Sequence, residues 1–141
     1  KGYAIDLAVE ALKKQGITSA LVDAGGNLFA MGAPYGDPDP RVGWRVAIRN
    51  PRQEGESLDV IELRDKAVAT SGKDQTFVKI GSQEIGHIFN AITGTEASAY
   101  LSATAVSATA TDSDALSTTA YLVGPEKVEA MFSDSKFHFF V

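Results

Sequence analysis

The sequence predicts a single α+β domain whose sheet is largely antiparallel. The chain has 141 residues, 44% of them hydrophobic and 22% charged, which suits one packed core. About eight segments have the composition of strands, and most of them follow one another directly, as hairpins do. Only about three helical segments interrupt this succession. A doubly wound parallel sheet, in which a helix follows each strand, therefore fits less well.

The chain opens with an amphipathic helix and a hairpin. The helix is predicted by apolar residues at helical spacing, namely Tyr3, Ala4, Leu7, Ala8, Ala11 and Leu12, and Gly16 is typical of the residue that ends a helix. The segment "ITSALVDAGG" predicts a strand, and "NLFAMG" predicts its partner across a tight Gly25–Gly26 turn. The segment "APYGDPDPRVG" holds three of the five prolines, so we expect a surface loop there.

The middle of the chain predicts further strands. In "WRVAIRNP", apolar Trp44, Val46 and Ile48 alternate with their neighbours, which predicts a half-buried strand that stops before Pro51. The segments "LDVIELRD" and "KAVATSG" are typical of two more strands. The segment "QTFVKIGSQEIGHIF" predicts a strand pair that turns at Gly81–Ser82. We therefore expect an uninterrupted run of strands here.

The last part of the chain combines strands with two helices. The segment "AYLSATAVSATA" is rich in small and β-branched residues and predicts a strand that leads into a helix from about Asp112 to Val123. Gly124 ends that helix, and "PEKVEAMF" predicts another with Pro125 in its first turn. The segment "KFHFFV" closes the chain as a strand, with His138 between two phenylalanines.

Composition excludes several classes of function. The net charge is −5 and no basic stripe is present, which argues against an unaided nucleic-acid binder. Without cysteine, the chain has no disulfide, thiol nucleophile or thiolate zinc site. The sequence shows neither a signal peptide nor an apolar run long enough to span a membrane. An anionic ligand would therefore need backbone donors, a local cationic side chain or a metal ion.

Asp114 and Thr118 lie one turn apart on the predicted late helix, so their oxygens share a face, with Ser117 beside them. A carboxylate with hydroxyl groups suits Mg²⁺, which completes its coordination with water and phosphate oxygens. A structural interpretation stands beside this one. Thr111 or Asp112 would cap the helix, and Asp114 would interact with the helix dipole. Spacing alone favours the structural interpretation.

Three further positions are candidates for chemistry. His87 is expected at a strand end, where an imidazole can act as a general base or simply bond a loop carbonyl. The glycines of "DAGGN" could present N–H groups to an anion, but they match no phosphate-binding pattern and suit a hairpin turn better. In "ATSG", Ser71 and Gly72 end a strand where a ligand could be touched.

Five segments, taken together and in order, resemble the C-terminal half of the FAD:protein FMN transferase family, often called ApbE. They are "KGYAIDLAVEALKKQGITSALVDAGGNLFAMG", "WRVAIRNP", "AVATSG", "GHIFNAITG" and "DSDALSTTAYLVGPEK". The resemblance covers nearly the whole chain. It implies that residues 1–141 are the C-terminal part of a flavin transferase domain whose N-terminal half is absent. It also implies that the helices pack on one face of the sheet.

The resemblance implies an Mg²⁺-dependent reaction on FAD. Members of the family transfer the FMN half to a threonine hydroxyl of an acceptor protein, a subunit of a redox pump or an electron carrier, and release AMP. Some members instead hydrolyse FAD to FMN and AMP. A pyrophosphatase and a non-catalytic flavin-binding fragment are therefore the alternatives. The implied location is the bacterial cell envelope, either periplasmic or membrane-anchored as a lipoprotein.

The site residues of the family fall on six positions of this chain. They are Asp114 and Thr118 for the metal, His87 for the base that takes the proton of the acceptor threonine, and Lys1, Asp6 and Ile88 for FAD. Three departures from the family pattern accompany this match. Some members have Asp where this chain has Ser117, Asn90–Ala91 replaces the common Asp-Pro, and "KDQTF" replaces an aromatic-rich stretch after "ATSG".

Overall fold

The computed structural model describes residues 1–39, 41–72, 77–97, 100–132 and 138–140. The helices in these ranges are α1 (Gly2–Lys14), α2 (Ala110–Val123) and α3 (Pro125–Met131), with a short 3₁₀ turn at Pro34–Gly36. The strands are β1 (Ala20–Ala24), β2 (Asn27–Met31), β3 (Trp44–Arg49), β4 (Ser57–Leu63), β5 (Lys66–Gly72), β6 (Phe77–Ile80), β7 (Gln83–Gly86), β8 (Phe89–Asn90), β9 (Thr95–Glu96), β10 (Ser102–Ser107) and β11 (His138–Phe140). Among these helices, none has the length and apolarity that a bilayer crossing requires.

A five-stranded sheet forms the centre of the fold, in the order β1-β2-β5-β10-β11. Every neighbouring pair in it is antiparallel. Three two-stranded hairpins, β3-β4, β6-β7 and β8-β9, accompany it and are antiparallel as well. Gly25 and Gly26 have φ angles of 63° and 89°, and they make the turn between β1 and β2. The predicted α+β class and the predicted first hairpin are confirmed.

The two faces of the central sheet are covered by different elements, as strand alternation requires. Phe29 and Ala67 face α1, whose Ile5 and Val9 are buried against them. Ala103 and Ala105 face α2 and α3 in a second cluster. The opposite face carries Ala30, Val68 and Val106, and the hairpin β3-β4 packs against them. The helices therefore lie on one face of the sheet, as the family resemblance implies.

The structure corrects the expected start of α2. This helix begins at Ala110, two residues before the predicted start, because Thr109 is its N-cap and accepts a hydrogen bond from the Asp112 N–H at 3.1 Å. The capping role predicted for Thr111 or Asp112 is therefore wrong. Instead, the Thr111 hydroxyl donates a hydrogen bond of 2.6 Å to the Asp6 carboxylate.

Two further expectations differ from the structure or fall outside it. The segment "HIF" does not continue β7, which ends at Gly86, and the short hairpin β8-β9 follows around Gly94. Sequence patterns miss this hairpin because each of its strands has two residues, too few for any alternation. The side chain of His138, between two phenylalanines in the predicted last strand, is outside the described part. Residues 73–76, within "KDQTF", also lie outside it.

Candidate functional site

The beginning of α1 lies directly against the beginning of α2. A β-carbon on Gly2 would stand 2.6 Å from the carbonyl carbon of Ala110, so the two backbones can come this close only at a glycine. Because of this approach, the Gly2 N–H donates a hydrogen bond of 2.8 Å to Oδ2 of Asp114. The backbone nitrogen of Lys1 lies 3.3 Å from the same oxygen. Residues before α1 and at its first turn therefore hold a carboxylate of α2.

The Asp114 carboxyl group has a pKa below its ordinary value. Burial alone would raise this pKa, but donors led by the Gly2 N–H and the Asn27 amide outweigh burial and lower it. The side chain of Asp114 nevertheless keeps 30% of its exposure. Asp114 is thus an ionised, oriented carboxylate that a ligand can reach.

Hydroxyl groups connect α2 to the end of β5. Thr118 donates to the carbonyl oxygen of Asp114 at 3.2 Å, and its Oγ1 lies 3.0 Å from Oγ of Ser71. Ser117 donates to the same carbonyl at 3.1 Å, and its Oγ also lies 3.0 Å from Ser71. Ser117 is completely buried, so its hydroxyl belongs to the helix–sheet contact. Thr118 is half-buried and reaches the cavity described next.

A cavity of about 430 Å³ opens between the start of α1, one side of α2 and the ends of several strands. It is lined by Lys1, Asn27, Thr70, Ser71, Gly72, His87, Ile88, Phe89, Asp114, Thr118 and Leu122. Five of the six site residues predicted from the sequence lie in this lining. Ser71 and Gly72, which the sequence marked only as residues at a strand end, line it too. A second, more open cleft of about 500 Å³ shares Asp114 and Thr118 with it.

His87 follows β7 immediately and is exposed at the wall of the cavity. An exposed imidazole in this position can reach both a ligand and solvent, as a general base must. Ile88 is half-buried against the core of α2 and α3, and its carbonyl accepts a hydrogen bond from Ala97 at 3.0 Å. Ile88 therefore anchors the segment that carries His87 against α2 and α3.

Asp6 occupies a different position from the other five predicted residues, since it does not line the cavity. Its two oxygens accept hydrogen bonds from the Ala110 N–H at 2.8 Å, the Thr111 N–H at 2.9 Å and the Thr111 hydroxyl at 2.6 Å. Burial would raise the pKa of Asp6, but these hydrogen bonds lower it below the ordinary value. The expected contact of Asp6 with FAD stays a prediction. In the structure this carboxylate caps α2 from α1.

Sequence reasoning missed Asn27 as a site residue. Asn27 is buried to 1% exposure and lines the cavity together with Asp114. Its signal was available in the alternation of "NLFAM". Asn27 shares one face of β2 with Phe29 and Met31, both buried and apolar, and is the polar member of that set. A polar residue at a core position of a strand indicates a specific task.

The oxygen atoms at the cavity suit a hard divalent cation. Asp114 contributes a carboxylate and Thr118 a hydroxyl one turn later, the ligand types that Mg²⁺ prefers. Within the described ranges, no group of three or more His, Cys, Asp or Glu side chains is arranged to hold a metal. The residues present fit Mg²⁺ with phosphate oxygens and water completing its coordination.

Comparisons with known proteins agree with this picture. A sequence model of the family described as ApbE matches residues 1–140. The FAD:protein FMN transferase of Treponema pallidum is 36% identical over 140 residues, which are 95% of this chain and 39% of that relative. The protein of the same name from Escherichia coli K12 is 30% identical over 131 residues, 92% of this chain and 36% of that relative. The chain thus spans less than half of the length of these curated relatives.

Solved structures show the same fold. The ApbE protein of Thermotoga maritima aligns with a TM-score of 0.84 and 31% sequence identity, over 98% of this chain and 44% of its own. The flavin transferase ApbE from Vibrio cholerae aligns with a TM-score of 0.75 and 27% identity, over 99% of this chain and 43% of its own. Both alignments include the helices and strands that surround the cavity.

Proposed function

The chain belongs to the ApbE family, and from that premise we propose that it is part of an Mg²⁺-dependent enzyme that transfers the FMN half of FAD to a threonine hydroxyl of an acceptor protein. The observation that carries the proposal is the cavity of about 430 Å³ in which Lys1, His87, Ile88, Asp114 and Thr118 meet. Relatives named FAD:protein FMN transferase support flavin transfer as the chemistry.

In the proposed reaction, the oxygen of the acceptor threonine attacks the phosphorus of the FMN half. The bond from this phosphorus to the bridging oxygen of the pyrophosphate breaks, and AMP leaves with that oxygen. The products are AMP and a phosphoester between FMN and threonine, so the atoms balance without another reactant. His87 takes the proton of the attacking hydroxyl, a role that its exposed position on the cavity wall supports.

The remaining predicted residues would bind and orient the dinucleotide. Asp114 and Thr118 would hold Mg²⁺, which, when bound, supplies positive charge against the pyrophosphate and the departing AMP. A chain with a net charge of −5 needs such neutralisation to accept an anionic ligand. Lys1 and Ile88 would contact FAD from the other parts of the cavity lining. Asp6 would act less directly, through the start of α2 that it caps.

One observation favours a second candidate reaction. Because His87 is exposed, water has access to the same position as an acceptor hydroxyl, and FAD would then be hydrolysed to FMN and AMP. The purified protein should be incubated with FAD, Mg²⁺ and a threonine-bearing acceptor, and the acceptor weighed by mass spectrometry. A gain of one FMN supports transfer, whereas free FMN and AMP with an unchanged acceptor support hydrolysis. Retained FAD without turnover would support a flavin-binding fragment and contradict both reactions.

We also propose a location in the bacterial cell envelope, periplasmic or membrane-anchored, because the acceptors expected for this chemistry are redox proteins of the envelope. Separation of cytoplasmic, periplasmic and membrane fractions, followed by detection of the protein with an antibody, tests this point. Recovery in the cytoplasmic fraction alone would contradict it.

A further inference from the structure

The buried amide of Asn27 is the starting point of the inference. Asn27 is the first residue of β2, directly after the Gly25–Gly26 turn, so its backbone is fixed by the hairpin. The residue is only 1% exposed, and its Nδ2 has no hydrogen-bond partner among the described residues. An unpartnered buried donor costs stability, because water that bonded it in the unfolded chain has been removed. The unpartnered Nδ2 donor of Asn27 therefore suggests that a hydrogen-bond acceptor reaches it when the cavity is occupied.

The nearby acceptor is the carboxylate of Asp114, which lines the same cavity as Asn27. The Asn27 amide is close enough to contribute to the lowered pKa of Asp114. Its Nδ2 nevertheless makes no hydrogen bond of normal geometry in the described structure. The two groups therefore lie near each other in the cavity lining, without a hydrogen bond of normal geometry from Nδ2.

The position of Nδ2 also decides what it can bind. This nitrogen is buried away from solvent, so a ligand that enters the cavity cannot reach it without displacing protein atoms. A protein group that already lies beside it is the more suitable acceptor. Asp114 receives its other donor, the Gly2 N–H, on Oδ2 at 2.8 Å. A second donor would fix the plane of the carboxylate as well as its position.

We propose that Asn27 is a positioning residue for Asp114, and that its Nδ2–H group donates a hydrogen bond to the Asp114 carboxylate when this carboxylate binds a divalent cation. This inference rests on the proposed function, because it takes Asp114 as the cation ligand. Carboxylate ligands in metal sites are commonly held by such outer hydrogen bonds, and loss of one typically weakens metal binding about 10–100-fold. The neutral amide suits this task, since it donates without adding charge.

The test is the Asn27→Leu variant, which has a similar volume and lacks the donor. Calorimetric titration with Mg²⁺ alone should show binding about 10-fold weaker than in the unmodified protein. The thermal unfolding midpoint should be unchanged or higher, because the unpartnered donor is gone. Asn50→Leu is the matched control, since Asn50 lies at the end of β3 outside this cavity, and it should leave Mg²⁺ binding unchanged. Full Mg²⁺ affinity in folded Asn27→Leu would overturn the inference.

A measurement on the unmodified protein covers the case in which Asn27→Leu does not fold. In a ¹⁵N-labelled sample, the two Nδ2 protons of Asn27 should shift and exchange more slowly with water as Mg²⁺ is added. Unchanged Asn27 signals at Mg²⁺ concentrations that saturate Asp114 would overturn the inference.

The Asp114→Ala variant separates this inference from the proposed function. If Asp114→Ala still binds Mg²⁺, or if the unmodified protein does not bind Mg²⁺, the proposed metal site is wrong. Both proposals then fail. Mg²⁺ binding that is lost in Asp114→Ala but kept in Asn27→Leu removes the role of Asn27 alone.

Discussion

Two aspartates near the beginning of α2 illustrate how position divides the tasks of identical side chains. Asp6 uses both of its oxygens on the N–H and hydroxyl groups that begin α2. Asp114 receives the Gly2 N–H on one oxygen and keeps partial exposure to the cavity. The pKa of each carboxyl group is lowered, although burial works in the other direction. Charge alone therefore does not distinguish a structural aspartate from a ligand; the direction of its oxygens does.

Asp114→Ala should abolish Mg²⁺-dependent flavin transfer while the protein still folds. The variant loses the carboxylate that would hold the cation. From the fold it loses the hydrogen bond of the Gly2 N–H and the weaker contacts of this carboxylate with Lys1 and Asn27, about 1–2 kcal/mol at this partly exposed position. The measurements are the transfer rate as a function of Mg²⁺ concentration and the free energy of unfolding. Asp112→Ala, an exposed aspartate in the same helix, is the control and should keep its activity. Unchanged transfer by Asp114→Ala at limiting Mg²⁺ would refute the assignment.

His87→Gly should reduce the rate of transfer far more than the affinity for FAD. A positioned general base contributes typically ~10²–10⁴-fold to a rate, whereas an exposed side chain on a cavity wall contributes less to ligand binding. Single-turnover rates and the dissociation constant of FAD, measured in parallel, separate the two effects. A collapse of FAD affinity with an unchanged rate at saturating FAD would instead make His87 a binding residue.

At the scale of elements, the beginning of α2 depends on side chains from outside that helix. Thr109 caps it locally, and Asp6 adds a cap from α1. The sequence predicts the extents of α1, the β1-β2 hairpin and α3, because helical spacing, a glycine turn and Pro125 are local signals. The buried face of α1 differs from the predicted one, since Ile5 and Val9 are buried whereas Tyr3 and Leu7 are exposed. The sequence places the beginning of α2 two residues late, since Thr109, Thr111 and Asp112 are all suitable N-cap residues. The Asp6 carboxylate that accepts from the first N–H groups comes from a distant part of the chain.

Asp6→Ala should lower the free energy of unfolding by about 2 kcal/mol at neutral pH, the upper range for loss of a helix cap. The pKa of Asp6 is lowered in the folded state, so its contribution is complete above the ordinary value of 3.8 and is lost as the pH falls through the folded pKa. Denaturant unfolding between pH 7 and pH 2 should therefore show a gap to the unmodified protein that closes in acid. Glu10→Ala, on an exposed position of α1, is the control. A gap that persists unchanged at the lowest pH would contradict this role.

At the scale of the whole molecule, the layers of the fold could be predicted from the sequence. The residues that line the cavity could be predicted only in part. Alternation in β2 and β3 indicates which residues face a core, and the structure assigns those cores to the two faces of the sheet. The meeting of Lys1, His87 and Asp114 follows from tertiary contacts, and it was expected here through the family resemblance alone. Alternation in β2 places Asn27 on the buried face, but only the structure shows that its amide lies in the cavity lining with Asp114.

Mg²⁺ should stabilise the whole molecule if the cavity holds the cation in the folded state only. Binding linked to folding adds about 2.7 kcal/mol to the free energy of unfolding when Mg²⁺ is at 100 times its dissociation constant. The unfolding midpoint of the unmodified protein should therefore rise with Mg²⁺ concentration, and that of Asp114→Ala should stay constant. Equal rises in the two proteins would show that Mg²⁺ acts elsewhere.

The hydrogen bond between Gly2 and Asp114 joins residues 112 positions apart. Contacts between such distant parts of a chain form late in refolding, because a large loop must close first. An isolated peptide of α2 would carry the aspartate and the threonine but none of the donors that orient them. Cation binding would therefore begin only after the secondary structure has formed. Its onset during refolding would report when α1 packs against α2.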